Sequence, residues 1–423
     1  MDDSPPTVAQ PILYTNIGYG QLSYDLGYAR FAWLQIAHYT RASIVTERWS
    51  NMHIEAIFIA IACLPFKRRY ATAKVVRQPN SDYSTHVFVK LQSSDGTIGW
   101  GEVPTDDLQA IHVCNLLTKR FVPSILEKSE FESQEALAQL AASGEWGDPS
   151  FRLAFASLET AYVDLIAKRL NVPASMLLTG KCVGQTPVAF TVSLMSPEWI
   201  YDQLSELERP RWLKVNLAGN LEEDLERVEE VARLHPQAQL WLDADGGFKS
   251  FSEATCFLEQ VGGVGNVALC SSPINGGSLL ALQRLRNKSP LPIAVDSECI
   301  TPQDVTLLAH LCAADMVIVD IPKLGGITAA QTVAQVAIAH GFELVVRTRM
   351  STQVGIAAAL HTFCGLNFRV GIEADGLQFI SAPTASGLQL QEGNLTVSKR
   401  PGFGIEVDEA ALRELSAQTF EVP

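Results

Sequence analysis

Residues 315–328 read DMVIVDIPKLGGIT. Four apolar residues, Met316–Val319, run without the polar alternation of a half-exposed strand, as a parallel strand buried on both faces requires. The run stops at Asp320, and Pro322 and the Gly325-Gly326 pair then turn the chain. Similar runs recur on both sides of it: Val188–Leu194, Trp212–Leu217, Gln239–Asp243, Val267–Ser271, Ile293–Asp296, Glu343–Thr348 and, more faintly, Phe368–Ile372. Their spacing of about 25 residues fits a strand, a helix and two short loops. Eight such units predict an α/β fold, a TIM-like (β/α)7β barrel. No GxGxxG or GxxxxGK[ST] follows a strand, so nothing supports a nucleotide site.

A different pattern precedes the barrel. His53 to Cys63 reads as a strand, and Ser84–Leu91 and Ile98–Glu102 read as a hairpin about the Asp95-Gly96 turn. Helical patterns follow over Asp107–Leu126, Ser133–Ala142 and Arg152–Leu170. The predicted organisation is an N-terminal extension over 1–51, poorly ordered or loosely docked, and an α+β capping domain over 52–170. The barrel follows over 171–385, and a C-terminal segment, 386–423, returns to the cap.

The bulk numbers narrow the partners. Thirty-two Lys and Arg against 46 Asp and Glu leave a net charge of −14. That balance argues against nucleic acid or an anionic membrane surface. The longest apolar run, Ala56–Leu64, is far below the roughly 20 residues of a membrane helix. Eight scattered cysteines, with no CxxC pair, suggest a reducing compartment and no zinc site. A cytoplasmic protein is expected, acting on a small molecule, with no nucleic-acid or membrane partner.

A barrel builds its site at the C-terminal ends of its strands. The residues there are Lys214 and Asn216, Asp243 and Asp245, Ser271, Asp296 and Glu298, Asp320, and Arg347 and Arg349. An Asp closing one strand commonly caps the following helix. Asp243, Asp296 and Asp320 at regular barrel spacing instead suggest carboxylates converging at the mouth. They would repel unless a cation sits between them, and hard oxygen ligands suit Mg²⁺.

These stretches resemble the enolase superfamily, in its mandelate racemase and muconate lactonising branch. WLKVNLAGN (212–220), LWLDADGGF (240–248), LPIAVDSE (291–298) and DMVIVDIPKLGGIT look like its successive barrel strands. IGWGE (98–102) resembles the end of the cap hairpin, and SLETAYVDLIAKRLNVPASMLLTGK (157–181) the passage into the barrel. The pattern is similar to the o-succinylbenzoate synthase, dipeptide epimerase and muconate cycloisomerase group. The resemblance implies an isomerase or lyase that removes the proton alpha to a substrate carboxylate, through an enediolate held by Mg²⁺ or Mn²⁺. It also implies a homo-oligomer.

By position, Asp243 and Asp296 match the first and third metal ligands, and Lys214 the first lysine of the Lys-x-Lys strand. Departures are equally plain. Ser271 stands at the usual Glu ligand, Asn216 at the lysine that is usually the base, and Ser351 where relatives carry a Glu. Asp320 resembles the racemase-type Asp without its histidine. Asp245 or Glu298 could supply the missing carboxylate, or cap helices. Lys323 could swing into the site as a base, or face water. Arg347 and Arg349 could clamp a substrate carboxylate, neutralise Asp320, or bind in the helix layer. The alternative to an enzyme is a catalytically degenerate member kept as a binding or scaffold protein. Pro65–Tyr70 and the turn after Glu102 are the expected specificity elements.

Overall fold

The computed structural model describes residues 53–423 apart from 69, 74–81, 144, 195–200, 202–203, 205–206, 208–209, 276–277, 367 and 382. The extension expected over 1–51 lies outside the described residues.

The cap is a four-stranded antiparallel sheet. Its β1 (Ile54–Pro65), β2 (Tyr83–Ser93) and β3 (Ile98–Thr105) lie in chain order, and the last strand of the chain, Ser416–Val422, pairs with the free edge of β1. Helices α1 (Asp107–Leu116), α2 (Glu130–Ala142) and α3 (Pro149–Arg169) cover it. The single helix expected over Asp107–Leu126 breaks into α1, a π turn at Leu117–Phe121 and a short helix at Val122–Ile125 with Pro123 in its first turn. A proline donates no N–H to a continuing α-helix.

The two glycines of IGWGE have a packing reason. Period two puts Gly99 and Gly101 on the face against α3 and Trp100 and Glu102 on the other. A Cβ on Gly101 would stand 2.0 Å from the carbonyl oxygen of Ser157 and 2.7 Å from the nitrogen of Ala161, both backbone atoms. Gly101→Ala is therefore expected to cost about 3 kcal/mol of stability, the upper end for overpacking, read as a lower urea midpoint at unchanged slope.

The barrel strands are β4 (Thr186–Val192), β5 (Trp212–Asn216), β6 (Gln239–Asp243), β7 (Val267–Ser271), β8 (Ile293–Val295), β9 (Met316–Val319), β10 (Glu343–Val346) and β11 (Ile372–Glu373). Parallel ladders join each strand from β4 to β10 to the next, and β11 pairs with β4. Among the described residues no ladder joins β10 to β11. The Thr348 hydroxyl reaches the Glu373 carbonyl there, at 2.7 Å. The eighth strand thus begins where the faint run Phe368–Ile372 ends, a correction to the expected boundary. Helices α4 (Leu221–Leu234), α5 (Phe251–Val261), α6 (Leu279–Lys288), α7 (Pro302–Leu311), α8 (Ile327–Ala339) and α9 (Gln353–Thr362) follow strands β5 to β10. The fold is an α/β TIM-like (β/α)7β barrel with an α+β cap.

Inside the barrel, Trp212, Trp241, Leu269, Ala294, Met316, Ile318 and Val345 form one buried cluster. These are inward positions of successive strands. Two residues further on, the same face carries Lys214, Asp243, Ser271, Asp296, Asp320 and Arg347. The strand period therefore lifts the polar termini onto an apolar floor.

Two buried carboxylates, Glu159 and Glu102, fasten the cap to the barrel, and a third, Asp164, ties the cap to the C-terminal segment. Glu159 on α3 accepts the Thr328 hydroxyl at 2.5 Å. Asp164 on α3 accepts the Trp100 and Phe403 amides at 2.9 and 2.8 Å. Glu102 on β3 accepts the Thr352 amide at 2.7 Å, its hydroxyl at 2.6 Å and the Gly355 amide at 3.0 Å. That places a negative charge on the N-terminus of α9, where the helix dipole favours it. Among the described residues no helix is long and apolar enough to cross a membrane.

Candidate active site

Asp243 and Asp296 come together at the barrel mouth, and the cation between them is an arginine. The Arg347 side chain extends inward from the end of β10. Its Nη2 donates to Asp243 Oδ2 at 2.7 Å and its Nη1 to Asp296 Oδ2 at 2.7 Å. Its Nε lies 3.4 Å from Glu373 Oε2. The planar fork of a guanidinium suits two carboxylates on neighbouring strands. Its carbon sits 5.6 Å from the centre of the Trp241 ring.

The other two oxygens of those aspartates are also taken. The Ser271 hydroxyl donates to Asp243 Oδ1 at 2.9 Å, while Trp241 Nε1 donates to that hydroxyl at 2.7 Å. Lys323 Nζ donates to Asp296 Oδ1 at 2.7 Å and to the carbonyls of Asp296 and Ile318 at 2.9 Å each. All three ammonium hydrogens are thus used. Lys323 is a buried residue at the mouth, not a water-facing loop lysine. Burial alone would raise the Asp296 pKa, but Lys323 and then Arg347 outweigh it and hold the carboxyl far below the usual range.

A second group lies beside the first. Lys214 Nζ is paired with Glu373 Oε2, and it reaches Asp375 Oδ2 at 3.1 Å. Burial would lower its pKa, but Asp375 and Glu373 outweigh it and keep the ammonium protonated above the ordinary lysine range. Glu373 moves the other way. Burial, then the nearby Asp375, push its pKa up to about 6 against the pull of Lys214 and Arg347. Its Oε1 is buried with no hydrogen-bond partner. Glu373 and Asp375 were not among the residues singled out in the sequence. The signal available was a Glu-x-Asp step directly after the faint eighth run.

The remaining candidates are placed as follows. Asp320 is fully buried and accepts from Arg349 Nε, while it caps the short turn at Lys323. Arg349, at positive φ, has its pKa raised first by Asp320. Asn216 donates to the Ala71 carbonyl at 3.1 Å, and its Oδ1 is buried without a partner. Asp245 has a left-handed backbone (φ 47°), which breaks the strand period and turns it to the Thr72 hydroxyl at 3.1 Å. Glu298 accepts the Asp296 amide and the Ser297 hydroxyl. Neither joins Asp243 and Asp296 as a third carboxylate, which corrects that expectation. Ser351 is buried against Gly355.

These residues do not fit a divalent ion. A Mg²⁺ site needs free oxygen lone pairs in near-octahedral order, and all four oxygens of Asp243 and Asp296 accept hydrogen bonds. The third position offers a neutral hydroxyl that is itself engaged. Among the described residues no group of three or more His, Cys, Asp or Glu could hold a metal.

Tyr70 and Ala71, between β1 and β2, lie at the mouth. Ala71 is held by the Ser193 hydroxyl at 2.7 Å as well as by Asn216. Tyr70 packs edge-on against Phe379, with ring centres 5.0 Å apart.

Comparison with known proteins agrees with this architecture. Residues 65–179 match the family described as mandelate racemase / muconate lactonizing enzyme, N-terminal domain, and residues 201–411 the one described as enolase C-terminal domain-like. The chain belongs to the mandelate racemase/muconate lactonizing enzyme branch of the enolase superfamily. It is 24% identical to an N-succinyl-L-Arg/Lys racemase of Bacillus cereus, over 86% of this chain and 98% of that protein. It is 29% identical to a muconate cycloisomerase 1 of Acinetobacter baylyi, over 78% and 92%. The crystal structure of a muconate lactonizing enzyme from Pseudomonas fluorescens complexed with muconolactone superposes with a TM-score of 0.78 at 25% identity, covering 86% of this chain and 99% of that one.

Proposed function

We propose that the chain is an isomerase or lyase that removes the proton alpha to the carboxylate of a small substrate at the barrel mouth. The observation that carries this reading is Glu373: a buried carboxyl titrating near 6, with one oxygen unpartnered, beside two fixed cations. A general base works best with a pKa near the working pH. Lys214 stays protonated, so its role is electrophilic, and together with Arg347 it supplies fixed positive charge for the enediolate. Asp320, Arg349 and Lys323 act by positioning: Lys323 uses all three ammonium hydrogens on Asp296 and Ile318, and Arg349 is held on Asp320. Asn216, with an unpartnered carbonyl, orients the substrate. The relatives named above are a racemase and a cycloisomerase, and both names describe isomerases.

Access requires the segment around Ala71 to lift from Asn216 and Ser193, which makes the β1–β2 connection, Pro65–Tyr70 included, the element that reads the substrate.

Deuterium incorporation from D₂O tests the reading, across dipeptides, acid sugars and N-acyl amino acids, with NMR detection. Glu373 acts as base only when ionised, so exchange should rise through pH about 6 and level off above it. Absence of exchange from every class, in folded protein, would transfer the assignment to a non-catalytic binding or scaffold role. The observation favouring that second reading is the complete hydrogen bonding of Asp243 and Asp296.

A further inference from the structure

The family's chemistry places a divalent cation where this chain places a side chain. We infer that the Arg347 guanidinium is a built-in replacement for that ion, so that the carboxylate cluster is assembled and neutralised without metal. The inference concerns the state of the cluster and stands apart from the proton-transfer reading.

Three observations carry it. First, the guanidinium bridges Asp243 and Asp296, the two carboxylates aligned with metal ligands, at equal distances of 2.7 Å. Second, the other oxygen of each is closed by a different donor, Ser271 on one and Lys323 on the other. A hydroxyl at 271 completes this arrangement, whereas a carboxylate there would face Asp243 Oδ1 and repel it. Third, the local charges nearly cancel. Arg347, Lys323 and Lys214 give three positive charges against four carboxylates, Asp243, Asp296, Glu373 and Asp375. A divalent ion between Asp243 and Asp296 would therefore have to expel Arg347 from both carboxylates. The substitutions are thus mutually consistent: Ser271 and Arg347 together exchange an ion cage for a hydrogen-bonded one.

The test is Mn²⁺ titration of the full chain, followed by electron paramagnetic resonance and by thermal shift, with no substrate present. Wild-type protein should show no saturable site at millimolar Mn²⁺. Arg347→Ala frees one oxygen on each aspartate, and it should gain Mn²⁺ binding at least about tenfold tighter than wild type, lost again in Arg347→Ala/Asp243→Asn. Arg347→Lys, which keeps a cation, should remain blind to Mn²⁺. A stoichiometric wild-type site that Asp243→Asn abolishes would overturn the inference. So would a folded Arg347→Ala that binds no better than wild type. Should Arg347→Ala fail to fold, the wild-type titration and recovery of the variant's fold by added guanidinium decide the matter, and failure of that recovery counts against it. Because no substrate enters the experiment, its outcome is separable from the exchange assay.

Discussion

Glu373→Gln should abolish alpha-proton exchange, with a fall of about 10²–10⁴ in rate, the usual worth of a positioned acid or base. The amide keeps the shape and leaves Lys214 and Arg347 in place, so substrate binding should change far less than turnover. Glutamine cannot take up a proton at neutral pH, and the limb near pH 6 should vanish with it. A Glu373→Asp variant retains a titrating group a methylene short and should keep a displaced limb at reduced rate. A stability defect alone would move neither the limb nor the ratio of kcat to KM in this pattern. If Glu373→Gln exchanged at the wild-type rate, another base would have to be found.

The second large effect is on stability. Arg347→Met removes the group that, among the described residues, alone bridges Asp243 and Asp296, and both are buried. Breaking a buried pair from one side leaves uncompensated charge and costs about 3–5 kcal/mol. Urea unfolding at neutral pH should show that loss at an unchanged slope. Adding Asp243→Asn and Asp296→Asn to Arg347→Met should recover part of it, since the stranded charges go too. Acidity adds a signature. Asp296 has its folded pKa depressed, so its contribution is present above the unfolded carboxylate range, about 3.9, and is lost as pH falls through that range and below. In Arg347→Met one of the groups depressing it is absent, and acid should destabilise the variant less steeply than wild type.

Much of this architecture can be read from the residues. Gln239–Asp243 and Val267–Ser271 are strands at the expected bounds, because each is a continuous apolar run with a polar stop. The mouth follows from the same logic: period two fixes which terminal side chains share a face, and closure of the barrel brings them together. The partners at the mouth were less legible. Asp243, Asp296 and Lys214 could be named from the pattern, but the chain alone left three destinations for Arg347. The choice among them depends on how far a flexible side chain reaches across a barrel, a distance that sequence spacing does not encode. Glu373 carries no comparable signal, because its strand has two residues and no clear apolar run before it. Lys323 was ambiguous because a lysine three residues past a strand end is usually solvated. The Asp296 carboxylate, with the carbonyls of Asp296 and Ile318 at its tip, makes burial tolerable.

The carboxylate of Glu102 is shared between cap and barrel. It gathers two amides and a hydroxyl from the start of α9 at once, and His86 Nδ1 lies 2.7 Å from it on its own sheet. Swinging the whole cap away from the barrel would strand that charge in a dry interface. The two bodies are therefore expected to move as one, so that any opening of the proposed site comes from a few residues near Ala71 and not from a hinge between them.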